Sequence, residues 1–304
     1  MTTNLRTIVS VSGGKDSVAA CLHLREMGIE HERVFMDTGW EHPDLYAHLD
    51  YLEGVLGPIT RVRPRMPDLP PEIMPEILAI EEIVGSSPSG FVRWAAQKAF
   101  FPSRRKRWCT EFLKIQPMLT WVDELDEDIL NVVGIRAEES ARRAAMPERE
   151  LMPGQEHIEV WRPLLNWTEA QVIAIHQRHG VKPCPLYLRG STRVGCWPCI
   201  QANKSELAAL HKDDRRIEAI ERLEALVTDL RRQRREAKGD VLEHPMSLFL
   251  GKQKSANGRW EMWPIRRVLE WSQTQHGGSQ MTLMSDWGRE AGCVRWGMCE
   301  GVKP

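Results

Sequence analysis

The run Ser12-Gly13-Gly14-Lys15-Asp16-Ser17 carries the strongest chemical signal in the chain. Two consecutive glycines let backbone N–H groups approach an anion closely, and a helix that starts there adds the positive end of its dipole. Lys15 can neutralise a phosphate, the Ser12 and Ser17 hydroxyls can donate to it, and Asp16 can help to carry Mg2+. The spacing differs from G-x-x-x-x-G-K-S/T, which excludes the ordinary kinase-type P-loop. A second constellation is made of sulfur: Cys196-Trp197-Pro198-Cys199 is a C-x-x-C, with Cys184 shortly upstream and Cys109 far upstream beside Arg107. A C-x-x-C alone leaves a redox dithiol, a zinc site and an iron–sulfur site open. Four thiolates together would suit a 4Fe-4S cluster or a zinc ion.

Two basic runs complete the inventory. Arg104-Arg105-Lys106-Arg107 lies next to Cys109 and is expected to face an anion site or a polyanionic substrate. Arg231-Arg232-Gln233-Arg234-Arg235-Glu236-Ala237-Lys238 ends a charged stretch, where cations suit either a helix C-terminus or the phosphates of a nucleic acid.

The elements that must hold these residues alternate in type. Leu5 to Val11 reads as a strand, the glycine run as a turn, and Val18, Cys21, Leu22 and Leu24 as one face of a helix. Arg33 to Asp37 is a second strand, Asp44 to Leu56 an amphipathic helix, Ile59 to Val62 a third strand and Asp128 to Gly134 another. Pro64 to Pro75 is too proline-rich for a central element. Thr168 caps a helix running to His179, and Lys212 to Lys238 forms a long charged helix. This order predicts an α/β fold with a doubly wound parallel sheet, its ligands at the carboxyl ends of the strands. The division expected is a nucleotide-binding domain over residues 1–200 and a helical, Trp-rich C-terminal extension over 201–304.

Of 304 residues, 27% are charged and 42% apolar, as in a globular protein. The net charge of -1 excludes a uniformly basic polyanion binder, so any nucleic-acid contact must be local. No apolar run reaches the ~18 residues of a membrane span, and no secretory pattern opens the chain. A cytoplasmic location and no membrane partner are therefore expected. There, seven cysteines read as ligands, catalytic thiols or buried fillers rather than as a disulfide framework.

The glycine–lysine–aspartate loop resembles that of the PP-loop ATP pyrophosphatase superfamily, whose fold is adenine nucleotide alpha hydrolase-like. Asp37-Thr38-Gly39-Trp40, Arg107-Trp108-Cys109-Thr110 with Leu113-Lys114, Gly134-Ile135-Arg136 with Glu139-Ser140 and Arg142-Arg143, Pro185-Leu186-Tyr187, and Arg193-Val194-Gly195-Cys196 with Cys199 resemble its phosphoadenosine phosphosulfate reductase-like branch. The resemblance spans roughly residues 5 to 200. It implies that Ser10, Ser12, Gly13, Gly14, Lys15, Asp16, Ser17, Asp37, Thr38, Gly39, Gly134, Arg136, Ser140 and Arg143 bind the nucleotide, with Lys15, Asp16 and Arg136 catalytic. It also implies a cluster ligated by Cys109, Cys184, Cys196 and Cys199, because the Cys-Cys pair of related reductases is replaced here by Trp108-Cys109.

The sulfonucleotide reductases of that branch have a loosened loop and end in Glu-Cys-Gly-x-His, whereas this chain keeps Lys15-Asp16 and ends Gly-Met-Cys-Glu-Gly-Val-Lys-Pro. Both departures favour ATP with Mg2+. The expected function is adenylation of an acceptor with pyrophosphate release, for iron–sulfur-assisted sulfur transfer to an acceptor such as tRNA or DNA, with a sulfur-donor protein as partner. The alternatives are an adenylyl or phosphoadenylyl sulfate reductase, in which a C-terminal cysteine attacks sulfur, and a nucleotide-binding module without turnover.

Overall fold

The computed structural model describes residues 5–242, 244–254, 260–274 and Trp296. Its first part alternates as expected: β1 (Arg6–Ser10), α1 (Lys15–Glu26), β2 (Glu32–Met36), α2 (Pro43–Leu56) and β3 (Ile59–Val62). An excursion follows, with α3 (Met74–Val84), α4 (Gly90–Lys98) and α5 (Trp108–Thr110), which runs through a π-helical turn at Glu111–Ile115 into α6 (Gln116–Asp123). The chain returns through β4 (Ile129–Val133), α7 (Ala141–Ala144), β5 (Arg149–Met152), β6 (Gln155–Trp161), α8 (Glu169–Arg178) and α9 (Pro185–Leu188). The later elements are α10 (Lys204–Leu210), α11 (Asp214–Glu236), β7 (Leu250–Lys254), β8 (Trp260–Met262) and α12 (Ile265–Ser272).

The main sheet has six strands in the order β3-β2-β1-β4-β6-β5. β1, β2, β3, β4 and β6 are parallel. The expected all-parallel sheet is corrected at one edge: β5 is antiparallel to β6. A tight turn with Gly154 at φ 77° makes that hairpin, and its outermost strand carries polar residues that an exposed edge tolerates. Ile8 and Val9 of β1 are both fully buried, on opposite faces of the pleat. Val9 packs with Val18 and Leu22 of α1, Leu45 and Leu49 of α2 and Val172 of α8; Ile8 packs with Met118 and Val122 of α6. Helices therefore cover both faces.

A third apolar cluster lies beside the sheet. Ile77 and Ile80 of α3, Phe91 of α4 and Trp40 after β2 pack with Ile217, Ile220 and Leu223 of α11 and with Ile265 and Leu269 of α12. Beyond residue 200 the chain is not purely helical, since β7 and β8 pair antiparallel. Glu224 of α11 accepts from the backbone N–H groups of Leu248 (2.9 Å) and Ile265 (3.1 Å) and from the Ser247 hydroxyl (2.9 Å), which ties these segments to the long helix. No helix among the described residues is long and apolar enough to cross a membrane.

Glu81 organises the excursion that borders β2. Its fully buried carboxylate accepts from both branches of Arg93 (2.7 and 3.1 Å), from Ser89 N (2.8 Å) and from the Ser87 hydroxyl (2.7 Å). Ser89 in turn donates to Gly39 O (2.7 Å), so the pair fixes the turn after β2. Burial pushes the Glu81 pKa up, but Arg93, Ser89 and Ser87 outweigh it and hold it below the usual carboxylate range. Ionised Glu81 thus stabilises the fold at neutral pH, and that contribution disappears as pH falls through its depressed pKa. Glu81→Gln should cost about 3–5 kcal/mol at pH 7, because it leaves a part-buried guanidinium without its charge partner. In urea titrations across pH, the gap to wild type should narrow towards acid.

Candidate functional site

The glycine loop follows β1 and lies at the carboxyl edge of the parallel strands. Gly13 has φ 70°, and a Cβ there would come within 2.3 Å of Leu45 Cδ1. The loop closes on itself: the Ser17 hydroxyl donates to Gly14 O (2.9 Å) and accepts from Ser12 N (3.1 Å). Gly14 caps α1 without a side-chain hydrogen bond, as suits a helix start that is to offer its N–H groups to an anion. One of them is engaged from within the protein, since Lys15 N donates to the Tyr187 hydroxyl (3.2 Å). On the other side of that residue a His176 ring nitrogen meets Lys15 O at 2.9 Å.

Two carboxylates hold the Lys15 ammonium, Asp16 at 2.7 Å and Glu169 at 3.5 Å. Asp16 also accepts from Arg136 Nε (2.5 Å), and Arg136 pairs with Glu138 as well. Burial opposes the Arg136 charge, but Asp16 and Glu138 outweigh it and raise its pKa. This geometry depends on Gly134. A Cβ at that position would lie 2.5 Å from Asp16 O and 2.7 Å from Ser17 N, so the exit of β4 passes backbone to backbone against the first turn of α1. Ser10, at the end of β1, bonds Asn131 of β4 through its hydroxyl (2.9 Å).

Asp37, Thr38 and Gly39 lie on the same edge. The buried Asp37 carboxylate accepts from the Tyr46 hydroxyl (2.7 Å), Gly39 N (3.0 Å) and Arg63 Nε (2.9 Å). Thr38 donates to Glu41 (2.7 Å), a second buried carboxylate that also takes Trp40 N (3.0 Å) and Tyr46 (3.1 Å). Gly39 has φ 69° and a missing Cβ that would meet Ser89 Cα at 2.7 Å.

The C-x-x-C segment is laid alongside this turn. Cys196 pairs antiparallel with Glu41, and Trp197 N donates to Trp40 O (2.8 Å). Cys109, Cys196 and Cys199 line one pocket with Thr38, Arg107, Lys114 and Arg193. Burial pushes the Cys196 thiol up to about 12 and the Cys109 thiol up as well. Burial works against the Lys114 charge, yet Cys196, Glu41, Cys199 and Cys109 outweigh it and raise its pKa. Arg143 pairs with Glu139, and its pKa is lowered by burial and by the charges of Arg193, Arg136 and Arg107, which outweigh the pull of Asp16. The Ser140 hydroxyl caps α7 by accepting from Arg143 N (3.3 Å).

The expected four-cysteine ligand set is corrected. Cys184 is buried in a separate apolar cluster with Leu186, Tyr187 and Trp296, and burial there raises its thiol to about 11. An apolar packing site, not a shared pocket, claims its sulfur. Among the described residues no group of three or more His, Cys, Asp or Glu side chains is arranged to hold a metal ion, and Cys184 does not line the pocket of Cys109, Cys196 and Cys199. Cys293 and Cys299 lie outside the described residues.

Several residues of the site escape a sequence reading. His176 sits on a helix with an ordinary apolar pattern, and Glu41 and Tyr46 belong to no recognisable motif. Tyr187 stands in the Pro185-Leu186-Tyr187 motif, but nothing in the sequence ties it to Lys15 across the chain.

A family model for the phosphoadenosine phosphosulfate reductase domain matches residues 6–69 and 75–202. The chain belongs to this family. It carries the family's catalytic domain and is a nucleotide-handling enzyme related to the phosphoadenylyl and adenylyl sulfate reductases. It is similar to an uncharacterized protein of Escherichia phage 186, with 34% identity over 96% of each chain. It is 26% identical to an adenosine 5'-phosphosulfate reductase of Deinococcus radiodurans, over 59% of this chain and 60% of that one. Among solved structures it is similar to a phosphoadenylyl-sulfate reductase from Candida auris in complex with phosphate, with a TM-score of 0.46, 18% identity and coverage of 64% and 82% of the two chains.

Two outcomes follow from the packing of this site. Gly134→Ala should lower stability by about 1–3 kcal/mol in chemical denaturation, since the Cβ meets backbone that cannot turn aside. With its pKa near 12, Cys196 should be alkylated at pH 8 about three orders of magnitude more slowly than an unperturbed thiol, as mass-spectrometric mapping of iodoacetamide labelling would read.

Proposed function

We propose that the chain binds adenylyl or phosphoadenylyl sulfate and reduces it to sulfite by thiol chemistry. The observation that carries this reading is the convergence on Arg107. It lines the pocket of Cys109, Cys196 and Cys199 together with Thr38, which stands just after β2 on the sheet edge that also carries the glycine loop. A phosphate held by the loop would thus place the far, sulfate-bearing end of the nucleotide among cations and thiols. Arg forks suit sulfate and phosphate oxygens, and Ser12, Ser17 and Lys15 suit the phosphate. Asp37, Thr38 and Gly39 are assigned to the nucleoside side, and Ser140 to positioning Arg143.

In the reaction a thiolate attacks the sulfate sulfur and the S–O bond to phosphorus breaks. AMP or its 3'-phosphate leaves, and the sulfonate remains on the cysteine. A second thiolate then attacks the cysteine sulfur, which releases sulfite and leaves a disulfide for an external dithiol to reduce. We assign the first attack to Cys199 and the second to Cys196, its C-x-x-C partner in the same pocket, with the Cys196 thiol proton passing to the departing sulfite.

One observation favours a second reading. The Lys15–Asp16 pair at 2.7 Å suits a triphosphate with Mg2+, with adenylation of an acceptor and release of pyrophosphate before sulfur transfer. A tRNA or DNA acceptor and a sulfur-donor protein belong to this reading. Incubation with each nucleotide and dithiothreitol separates the two: sulfite from adenylyl or phosphoadenylyl sulfate supports the first, and pyrophosphate from Mg-ATP alone supports the second. Lys15→Ala should weaken nucleotide binding by about 1.5–3 kcal/mol in calorimetry, the worth of a charge-assisted contact. Cys199→Ser should abolish sulfite release with nucleotide affinity intact.

A further inference from the structure

The two basic runs, far apart in sequence, are neighbours in space. Arg234 of α11 donates to the carbonyls of Gln97 (2.8 Å) and Lys98 (3.1 Å) at the end of α4. Lys98 in turn lines an open groove of about 670 Å3 with Phe100, Arg105, Lys106, Arg107 and Phe112. Arg105, Lys106 and Arg107 are exposed there, Arg104 is exposed next to them in the chain, and the groove's one carboxylate among the described residues is Glu111.

Aromatic rings lie between these cations. Phe112 and Trp94 have ring centroids 4.5 Å apart, and both are half-buried. The Lys98 ammonium sits 3.8 Å from the centre of the Phe112 ring and 5.0 Å from that of Trp94, and Lys106 sits 6.0 Å from Phe100. Lys98 thus covers the face that a flat base would take, and its flexible stem allows it to follow a phosphate instead. The groove is continuous with the thiol pocket, because Arg107 and Thr110 line both.

A small anion needs no aromatic floor, and an acidic peptide needs no ring faces set between cations. A strand of phosphates with exposed bases uses both features, and only unpaired bases can reach rings sunk in a groove. We propose that this groove binds single-stranded nucleic acid, with its phosphates along Arg104–Arg107 and the end of α11 and its bases on Phe112 and Phe100. The strand leads past Arg107 towards the thiol pocket. The groove is separate from the nucleotide loop, so this binding holds under either nucleotide chemistry.

Fluorescence anisotropy with a labelled single-stranded oligonucleotide of mixed sequence, its duplex, and heparin as competitor tests this on the full chain. The single strand should bind more tightly than the duplex, and the logarithmic salt slope should be negative. Replacing Arg104, Arg105 and Lys106 together by Ser should make that slope shallower by about 2, at ~0.7 for each phosphate no longer neutralised. Nucleotide affinity should not change. Arg234 is left in place because it caps α4. Phe112→Leu should weaken single-strand binding about tenfold, from the loss of one stacked base, with an unchanged melting midpoint. Photocrosslinking of an iodouracil-bearing strand to the wild-type protein gives a readout free of folding effects, and adducts should fall on Trp94, Phe100 or Phe112. Failure to bind at low salt, duplex binding as tight as single-strand binding, or crosslinks confined to other segments would each overturn the proposal.

Discussion

Gly134 has no side chain, and the site hangs on that. Because the exit of β4 can lie directly against the peptide that joins Asp16 to Ser17, Arg136 arrives beside Asp16 instead of one side-chain layer away. Asp16 is then shared between Arg136 and Lys15, and the loop, the sheet and the segment after β4 become one charged network. The first turn of α1 is gripped from a third direction by His176 on Lys15 O and Tyr187 on Lys15 N. A loop with two glycines has high conformational entropy when free, and these long-range contacts hold it in one shape.

The wall of thiols depends on a different device. The C-x-x-C strand pairs with residues 40–42 on one side, and on the other meets the start of α11. There Asp213 accepts the Trp197 indole N–H (2.9 Å) and Arg216 donates to Glu41 O (3.1 Å). Arg216 is 3% exposed and stacks 4.7 Å from the Trp40 ring. Burial lowers its pKa to about 10, while Asp213 and Glu41 support its charge. A buried guanidinium is tolerated only where such partners exist, and its removal would take a positive charge away from Glu41 and Asp213 and the cap from Glu41 O. The segment beyond residue 200 therefore shapes the pocket that the family domain contains.

Local patterns were enough for much of this. The β-branched runs gave β1, β2, β3 and β4 within a residue or two, Thr168 gave the start of α8, and the periodicity of 212–238 gave α11. Each of these signals resides within a few consecutive residues. Proline misled in part: α3 begins inside the proline-rich stretch, because a proline in the first helical turn loses no hydrogen bond. The antiparallel edge was not legible, since β5 is only four residues long, with two charged residues followed by two apolar ones and no strand alternation. Of the site, the loop and the arginines after β4 were visible as types, but the meeting of Lys15 with Tyr187 and His176 was not. Cys184 was misplaced for a related reason. Its nearness to the C-x-x-C in sequence suggested a shared ligand role, yet α9 turns it into an apolar cluster, and only tertiary packing decides that.

Around the loop and the pocket, cations and carboxylates are interleaved: Lys15 meets Asp16 and Glu169, Arg136 meets Asp16 and Glu138, and Arg143 pairs with Glu139. Burial first, and then the charges of Arg193, Arg136 and Arg107, hold Arg143 below the ordinary guanidinium range despite the pull of Asp16. Such mutual repulsion is an energy that an anion between them relieves, so a phosphate or sulfate bound there gains twice, from its own hydrogen bonds and from the cations it screens. The same placement explains why Lys15 can remain with Asp16 and Glu169. An anion held by the loop would compete with Asp16 and Glu169 for the Lys15 ammonium. Preorganised cations at one end and a lysine already desolvated and oriented at the other mean that little reorganisation is left for the ligand to induce.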